Sequence, residues 1–146
     1  MTGMSVLPDP STPFGRAVRT RLAEERIIWL TTVAASGTPQ PNPVWFLWQD
    51  ETESFLIYHD NTAARLRTLV ERPRVALNLD SADGAGGITV FTGSVEILEG
   101  HPPAHEVPAY AAKYGPRLQA TGRELEAFMA KYSIATRIRP EKVRGF

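Results

Sequence analysis

Two arginines, Arg65 and Arg67, follow a polar Asp60-Asn61-Thr62 step and an apolar strand pattern that ends at Tyr58 and His59. Guanidinium groups grip phosphate and carboxylate oxygens through paired, charge-assisted hydrogen bonds, so this grouping points to an anion cradle. A helical pattern opening at Thr62 would add unpaired N–H groups and the partial positive charge of a helix N-terminus. Asp60 opposes that chemistry, because a carboxylate beside a phosphate repels it. Its expected task is to cap the helix and point away. Two arginines on a short helix also fit an ordinary solvated face. The preceding strand and polar cap favour the cradle.

Other chemistries find less support. His101 and His105 stand four apart, a spacing that can ligate metal on a helix, but Pro102 and Pro103 intervene and no third ligand is evident. The chain has no cysteine, which rules out disulfides, a thiolate nucleophile and thiolate metal sites. No Ser/His/Asp constellation, P-loop, paired-carboxylate motif or G-x-G-x-x-G occurs. Trp29, Trp45 and Trp48 could stack on a ring, although large aromatics in strands usually fill cores or interfaces. His59 reads as a hydrogen-bonding strand-end residue rather than a base. A bound redox cofactor carries the hard chemistry itself and needs little of this machinery. The same absence fits a protein that only binds.

The elements that must position these residues can be read from the pattern. Residues 14–25 predict a helix, with Ser11 or Thr12 as cap, Pro13 in the first position and Phe14, Val18 and Leu22 at helical spacing. Residues 26–34 predict a strand, 36–39 a turn, 41–49 a second strand and 54–59 a third, in an antiparallel meander. A helix over 62–71 and a strand over 74–80 follow. ADGAGG (82–87) predicts a flexible hairpin connection, and 88–98 a long strand in which Gly93 marks a bulge or close backbone approach. Residues 102–131 predict two helical pieces, broken near Gly115-Pro116 and Thr121-Gly122. The segment 133–146 predicts a closing strand whose Pro140 disfavours a flat interior position. The order predicts a mainly β (α+β) chain, a small antiparallel barrel with peripheral helices. Val44-Trp45-Phe46-Leu47-Trp48 is apolar on both faces. Its outer residues, Trp45 and Leu47, therefore need a helix, a second subunit or a flat ring to cover them.

These blocks, TPQPNPVWFLW, LIYHDNTAARLRTLVERPRVALNLD and TVFTGSVEIL, resemble the split β-barrel flavoproteins typified by pyridoxamine 5′-phosphate oxidase. VPAYAAKYGPRL and RIRPEKVRGF extend the likeness to actinobacterial oxidoreductases that use the deazaflavin coenzyme F-420. The resemblance implies a six-stranded antiparallel split β-barrel (residues 13–146), assembled as a homodimer. It implies that the strand from Asn42 through Pro43, Val44, Trp45 and Phe46 lays its backbone along the polar edge of the cofactor ring. Tyr58 and His59 would stand near the ring and ribityl chain, beside Thr62. Arg65 would replace the family's phosphate-binding lysine, with Arg67 beside it. No catalytic side chain is implied.

Two departures bear on the substrate. The polar residue that the family brings to the ring near Ile88 is missing. Arg139-Pro140-Glu141 stands near where the oxidase has the Arg-x-His that binds its substrate phosphate. Both argue against pyridoxamine phosphate. The implied activity is hydride transfer between F-420 and a small organic substrate. The alternatives are an FMN-dependent oxidase or reductase, or a non-catalytic carrier of flavin, F-420 or haem. Arg16, Arg19 and Arg21, with Arg137, Arg139, Lys142 and Arg144, could supply a basic groove for the F-420 tail.

Sixteen basic and sixteen acidic residues leave no net charge in 146 residues, which argues against bulk electrostatic binding to nucleic acid. No apolar run approaches the roughly 20 residues of a membrane span, and MTGMSVLPDPSTP lacks a signal-peptide pattern. The expectation is one cytoplasmic domain without membrane partners, preceded by a loose arm of residues 1–12.

Overall fold

Thr12 accepts a hydrogen bond from the Gly15 N–H at 2.9 Å and caps α1 (Pro13–Glu24), with Pro13 where a helix tolerates it best. The computed structural model describes residues 4–62, 64–81 and 87–146. Beyond α1 come β1 (Ile27–Val33), β2 (Pro39–Trp45), β3 (Leu47–Gln49), β4 (Ser54–His59), α2 (Arg65–Glu71), β5 (Arg74–Leu79) and β6 (Thr89–Ile97). A 3-10 turn (Ala104–Glu106), α3 (Pro108–Ala120), α4 (Leu125–Phe128) and β7 (Ile134–Gly145) complete the chain. The connection expected at 82–87 lies, up to residue 86, outside the described residues.

All strand pairs are antiparallel, in the order β2-β1-β5-β6-β7-β4-β3. β2 and β3 stand at opposite ends of that order, yet only Phe46 separates them in the chain. The sheet therefore curls until its two edges are bridged by one continuous stretch. Here lies the correction to the six-strand expectation: the second strand breaks at Phe46, giving seven. The break leaves the buried Phe46 peptide without ladder partners, and buried backbone groups need them. Side chains of α3 supply them. The Phe46 N–H donates to the Tyr114 hydroxyl at 2.9 Å, and Lys113 Nζ donates to the Phe46 carbonyl at 2.8 Å. The Tyr114 hydroxyl also lies 2.7 Å from the Arg26 carbonyl, so one side chain ties β1 to the bridge.

β4 is buried along all six residues because its two faces enter different cores. Phe55 and Ile57 join Val18, Leu22, Ile28, Leu30, Leu77 and Phe91 inside the barrel, with Leu69 of α2 among them. Leu56 and Tyr58 join Tyr110, Tyr114, Leu118, Leu125 and Met129 beneath α3 and α4. The apolar second strand divides the same way. Val44 and Phe46 face the barrel, while Leu47 and Trp45 face the helical layer, which is the cover they required.

Two local expectations change, at α3 and at the N-terminal arm, and two are met, at Pro140 and Gly93. The helix continues through Pro116, and the residue before it, Gly115, carries no Cβ for the proline ring to crowd. The break comes instead at Thr121-Gly122, where Gly122 has φ +79°. β7 runs between β6 and β4, and its Pro140 sits where the β6 register shifts between Thr92 and Gly93, beyond the last β4 partner. Gly93 is the close approach, since a Cβ there would collide with the Arg139 carbonyl. Residues of the expected loose arm pack onto the domain. Leu7 is buried in the barrel core, and the Val6 N–H donates to Glu53 Oε1 at 3.0 Å.

Candidate functional site

The helix expected from Thr62 begins only at Arg65 and has seven residues. The polar step forms its own turn: the Asp60 carboxylate accepts from the Thr62 N–H at 2.9 Å and the Thr62 hydroxyl at 2.7 Å. Those bonds, the backbone one first, hold the Asp60 carboxyl below its usual range. The turn thus satisfies Asp60 locally. Ala64 at the helix N-cap makes no side-chain capping bond. The cradle therefore rests on Arg65 itself rather than on a capped helix terminus.

Arg65 is oriented from β4. Its Nε–H donates to His59 Nδ1 at 3.0 Å, which places the imidazole proton on Nε2. Nε2–H then donates to Thr136 Oγ1 at 3.1 Å, and the Thr136 hydroxyl donates to the Ile57 carbonyl at 2.9 Å. Burial, and secondly the Arg65 charge, pull the His59 pKa down to about 3. His59 is therefore a neutral acceptor with its lone pair already used, not a base. The chain Ile57–Thr136–His59 fixes one edge of the guanidinium, and among the described residues its two terminal nitrogens make no hydrogen bond. Among the described residues Arg65 forms no ion pair. Burial pulls its pKa down from the usual arginine value, while Tyr132 and then Asp60 act in the opposite sense.

Arg65 opens on a cleft of about 260 Å³. It is lined by Ile27, by Pro43, Val44 and Trp45 of β2, and by Tyr58, Tyr110, Phe128, Met129 and Tyr132, with Trp45 and Phe128 together in one aromatic wall. Trp45 forms part of this wall because it is itself held, stacked on Tyr114 at 4.3 Å and 3° and on Phe128 at 5.2 Å and 17°. The Tyr110 side chain is fully buried in that wall and its hydroxyl has no partner. A half-buried guanidinium whose terminal donors are free among the described residues suits an anionic ligand, and Tyr110 adds an unpartnered hydroxyl to the lining of the same cleft.

The β2 edge adds a second polarity. In the pairing with β1, Pro39, Pro41 and Pro43 face Val33, Thr31 and Trp29 at the positions that turn their polar groups away from β1. Proline has no N–H, so this outer edge shows carbonyls only until Trp45, whose N–H also turns outward.

Of the ten expected site residues, Pro43, Val44, Trp45, Tyr58 and Arg65 line the cleft. His59 acts behind Arg65. Asn42 belongs to the β1-facing set of β2, and Phe46 is buried in the barrel core at the strand break. Thr62 is spent on the Asp60 turn. Arg67 is exposed, 3.8 Å from Glu71, and does not line the cleft. Of the residues considered for a basic groove, five arginines are engaged elsewhere, whereas Lys142 and Arg144 form no ion pair among the described residues. Arg16 and Arg19 donate to the Ser11 and Pro8 carbonyls, Arg21 binds Glu25 and Asp80, and Arg137 and Arg139 lie against Glu96. The aromatic wall of Tyr110, Phe128 and Tyr132 was missed. Its signal was present, since Tyr110/Tyr114 and Phe128/Tyr132 are each aromatic pairs four residues apart.

The sequence matches the pyridoxamine 5′-phosphate oxidase family over residues 14–145, and the chain belongs to that family. Its fold is the family's split β-barrel with peripheral helices. Among solved structures it is similar to an F-420 reductase, with 22% identity, TM-score 0.65, and coverage of 86% of this chain and 94% of that one. It is also similar to a FAD-binding protein of Mesorhizobium loti, at 18% identity and TM-score 0.60, covering 86% and 87% of the two chains. A third relative is the haem-storage protein HutZ of Vibrio cholerae, at 16% identity and TM-score 0.58, covering 92% and 95%. No curated protein matches the sequence. At these identities the likeness shows the fold, and the three relatives are named for different cofactors. Among the described residues no helix is long and apolar enough to cross a membrane, and no cluster of potential ligands for a metal ion occurs.

Proposed function

We propose that the protein is an oxidoreductase that holds a flavin-type ring in the cleft between β2 and the α3–α4 wall, with Arg65 gripping the phosphate of its ribityl chain. The observation that carries this reading is the Arg65 guanidinium, fixed on one edge by His59 and open toward the cleft. The outer edge of β2 fits the pyrimidine end of such a ring: the Pro43 carbonyl suits the ring imide N–H, and the Trp45 N–H suits a ring carbonyl. When bound, the cofactor supplies hydride chemistry, and the chain positions it, excludes water and neutralises its phosphate. Trp45, Phe128 and Met129 provide the apolar walls.

Coenzyme F-420 is the cofactor favoured by the family resemblance and by the similarity to an F-420 reductase, with FMN as the alternative. The substrate is a small organic molecule that accepts or gives a hydride. A homodimer with its cofactors near the interface belongs to the same proposal, in a cytoplasmic setting.

Titration of the purified protein with F-420, FMN and haem tests the reading. One of the first two should bind, and Arg65→Ala should weaken it about tenfold or more, as loss of a charge-assisted hydrogen bond predicts. Unchanged affinity in that variant, or retention of none of the three ligands by the wild type, overturns it.

A further inference from the structure

A second cleft of about 560 Å³ adjoins the first. Ile27, Trp45 and Phe128 line both, so the aromatic stack is the partition between them. Arg65 opens only on the first cleft, whereas Arg26, Arg117 and Arg123 open only on the second. None of these three arginines forms an ion pair among the described residues. Two carboxylates, Glu25 and Asp80, share the lining, but Glu25 is already held by Arg21 at 3.1 Å. Arg21 also donates to the Asp80 carbonyl, adding a fourth guanidinium behind the wall. With Glu25 paired to Arg21, the lining sets three arginines against the single carboxylate of Asp80, a local excess of positive charge in a chain with no net charge.

The three side chains come from elements that the fold fixes independently. Arg26 precedes β1, and its carbonyl is tied to the Tyr114 hydroxyl at 2.7 Å. Arg117 sits in the last turn of α3. Arg123 lies over the Phe128 ring at 5.7 Å, and its N–H closes α3 by donating to the Leu118 carbonyl at 2.8 Å. Their convergence on one concavity, with open donors, suits an anion carrying several oxygens.

We propose that this second cleft binds a carboxylate- or phosphate-bearing organic substrate, whose anionic group is held by Arg117, Arg123 and Arg26 while its reactive part reaches past Trp45 toward the first cleft. This rests on the reading of the first cleft as the ring site. With the cofactor phosphate at Arg65, the arginine trio stands on the other side of the Trp45–Phe128 partition from that phosphate. Its anion is therefore the substrate's rather than an extension of the cofactor beyond its phosphate.

The test is calorimetric titration of the full chain with citrate and inorganic pyrophosphate, then with F-420 and FMN, for the wild type and for Arg117→Ala/Arg123→Ala. Both arginines are exposed, and the thermal midpoint of the variant should be unchanged within a few degrees. Citrate or pyrophosphate binding should weaken about tenfold per guanidinium lost and fade as salt is raised. F-420 and FMN binding should persist. A wild type that binds neither anion, or a variant that binds them as well as the wild type, overturns the assignment. So does a variant that loses F-420 and keeps FMN, because the trio would then hold the cofactor's anionic tail. Failure of the first-cleft reading appears separately, as wild-type protein that takes up anions but neither cofactor.

Discussion

The barrel interior and the layer beneath α3 and α4 are both buried, but they are built from different chemistry. In the barrel, Phe46, Phe55 and Phe91 meet edge to face at 5.8 and 5.1 Å among aliphatic side chains, and the buried hydroxyls on that face are those of small threonines such as Thr136, which bonds the Ile57 carbonyl. The helical layer is built on Tyr58, Tyr110 and Tyr114. Burial raises the pKa of all three, Tyr58 to about 12, so their hydroxyls remain neutral hydrogen-bonding groups. Tyr58 donates to the Pro102 carbonyl at 2.7 Å, Tyr114 holds the Phe46 peptide, and Tyr110 is left without a partner. Apolar burial is non-directional and tolerates small shifts, whereas a hydroxyl must find its partner at one place. The barrel stabilises the domain, and the tyrosine layer fixes where the cleft lies.

Truncating the barrel should do the greatest damage. Phe55→Ala removes a fully buried ring, and chemical denaturation should register a loss of about 3–5 kcal/mol.

A pH series reaches the junction of the two regions. Folded His59 stays neutral down to about pH 3, while in the unfolded chain it takes a proton near 6.5. Between those values the unfolded state binds more protons. The His59 contribution is therefore complete above about pH 6.5 and is lost as pH falls toward 3, at up to about 1.4 kcal/mol per unit. His59→Gln should flatten that limb of the stability profile; an unaltered acid limb would refute a buried, neutral His59.

Tyr114→Phe keeps the stacking and deletes one hydroxyl. It should cost about 1–3 kcal/mol, with the Phe46 N–H left unpaired, and should weaken ligand binding in the cleft. A variant that loses stability but binds normally would show that the strand break does not position the cleft. The mildest change sharpens the contrast between neighbouring arginines. Arg67→Ala removes one exposed pair with Glu71 and should alter stability by less than about 0.5 kcal/mol, leaving cofactor affinity unchanged in the same titration.

Strand positions were legible because β-branched and aromatic blocks alternate between turn residues, and the capped start of α1 was legible from Thr12-Pro13 alone. The break at Phe46 was not, since its causes, Lys113 and Tyr114, lie more than sixty residues away. A proline inside α3 read as a stop because the rule concerns the residue before it, and Gly115 exempts itself. Arg65 stood out in the sequence by its type and place, and it lines the first cleft. Its link to His59 was hidden because Asp60 and Thr62 satisfy one another and delay the helix to Arg65. The arginine trio of the second cleft was invisible as a group: Arg26, Arg117 and Arg123 come to one concavity only when α3 folds back toward the start of β1.

The proline-lined margin of β2 has a consequence for the life of the protein in a crowded solution. An exposed strand margin ordinarily invites another chain to zip onto it and seed larger aggregates. A strand arriving here would meet the oxygens of Pro39, Pro41 and Pro43 and no hydrogen to bind its own oxygens until Trp45. The margin stays open to a small molecule rich in donors while remaining sealed against polymerisation.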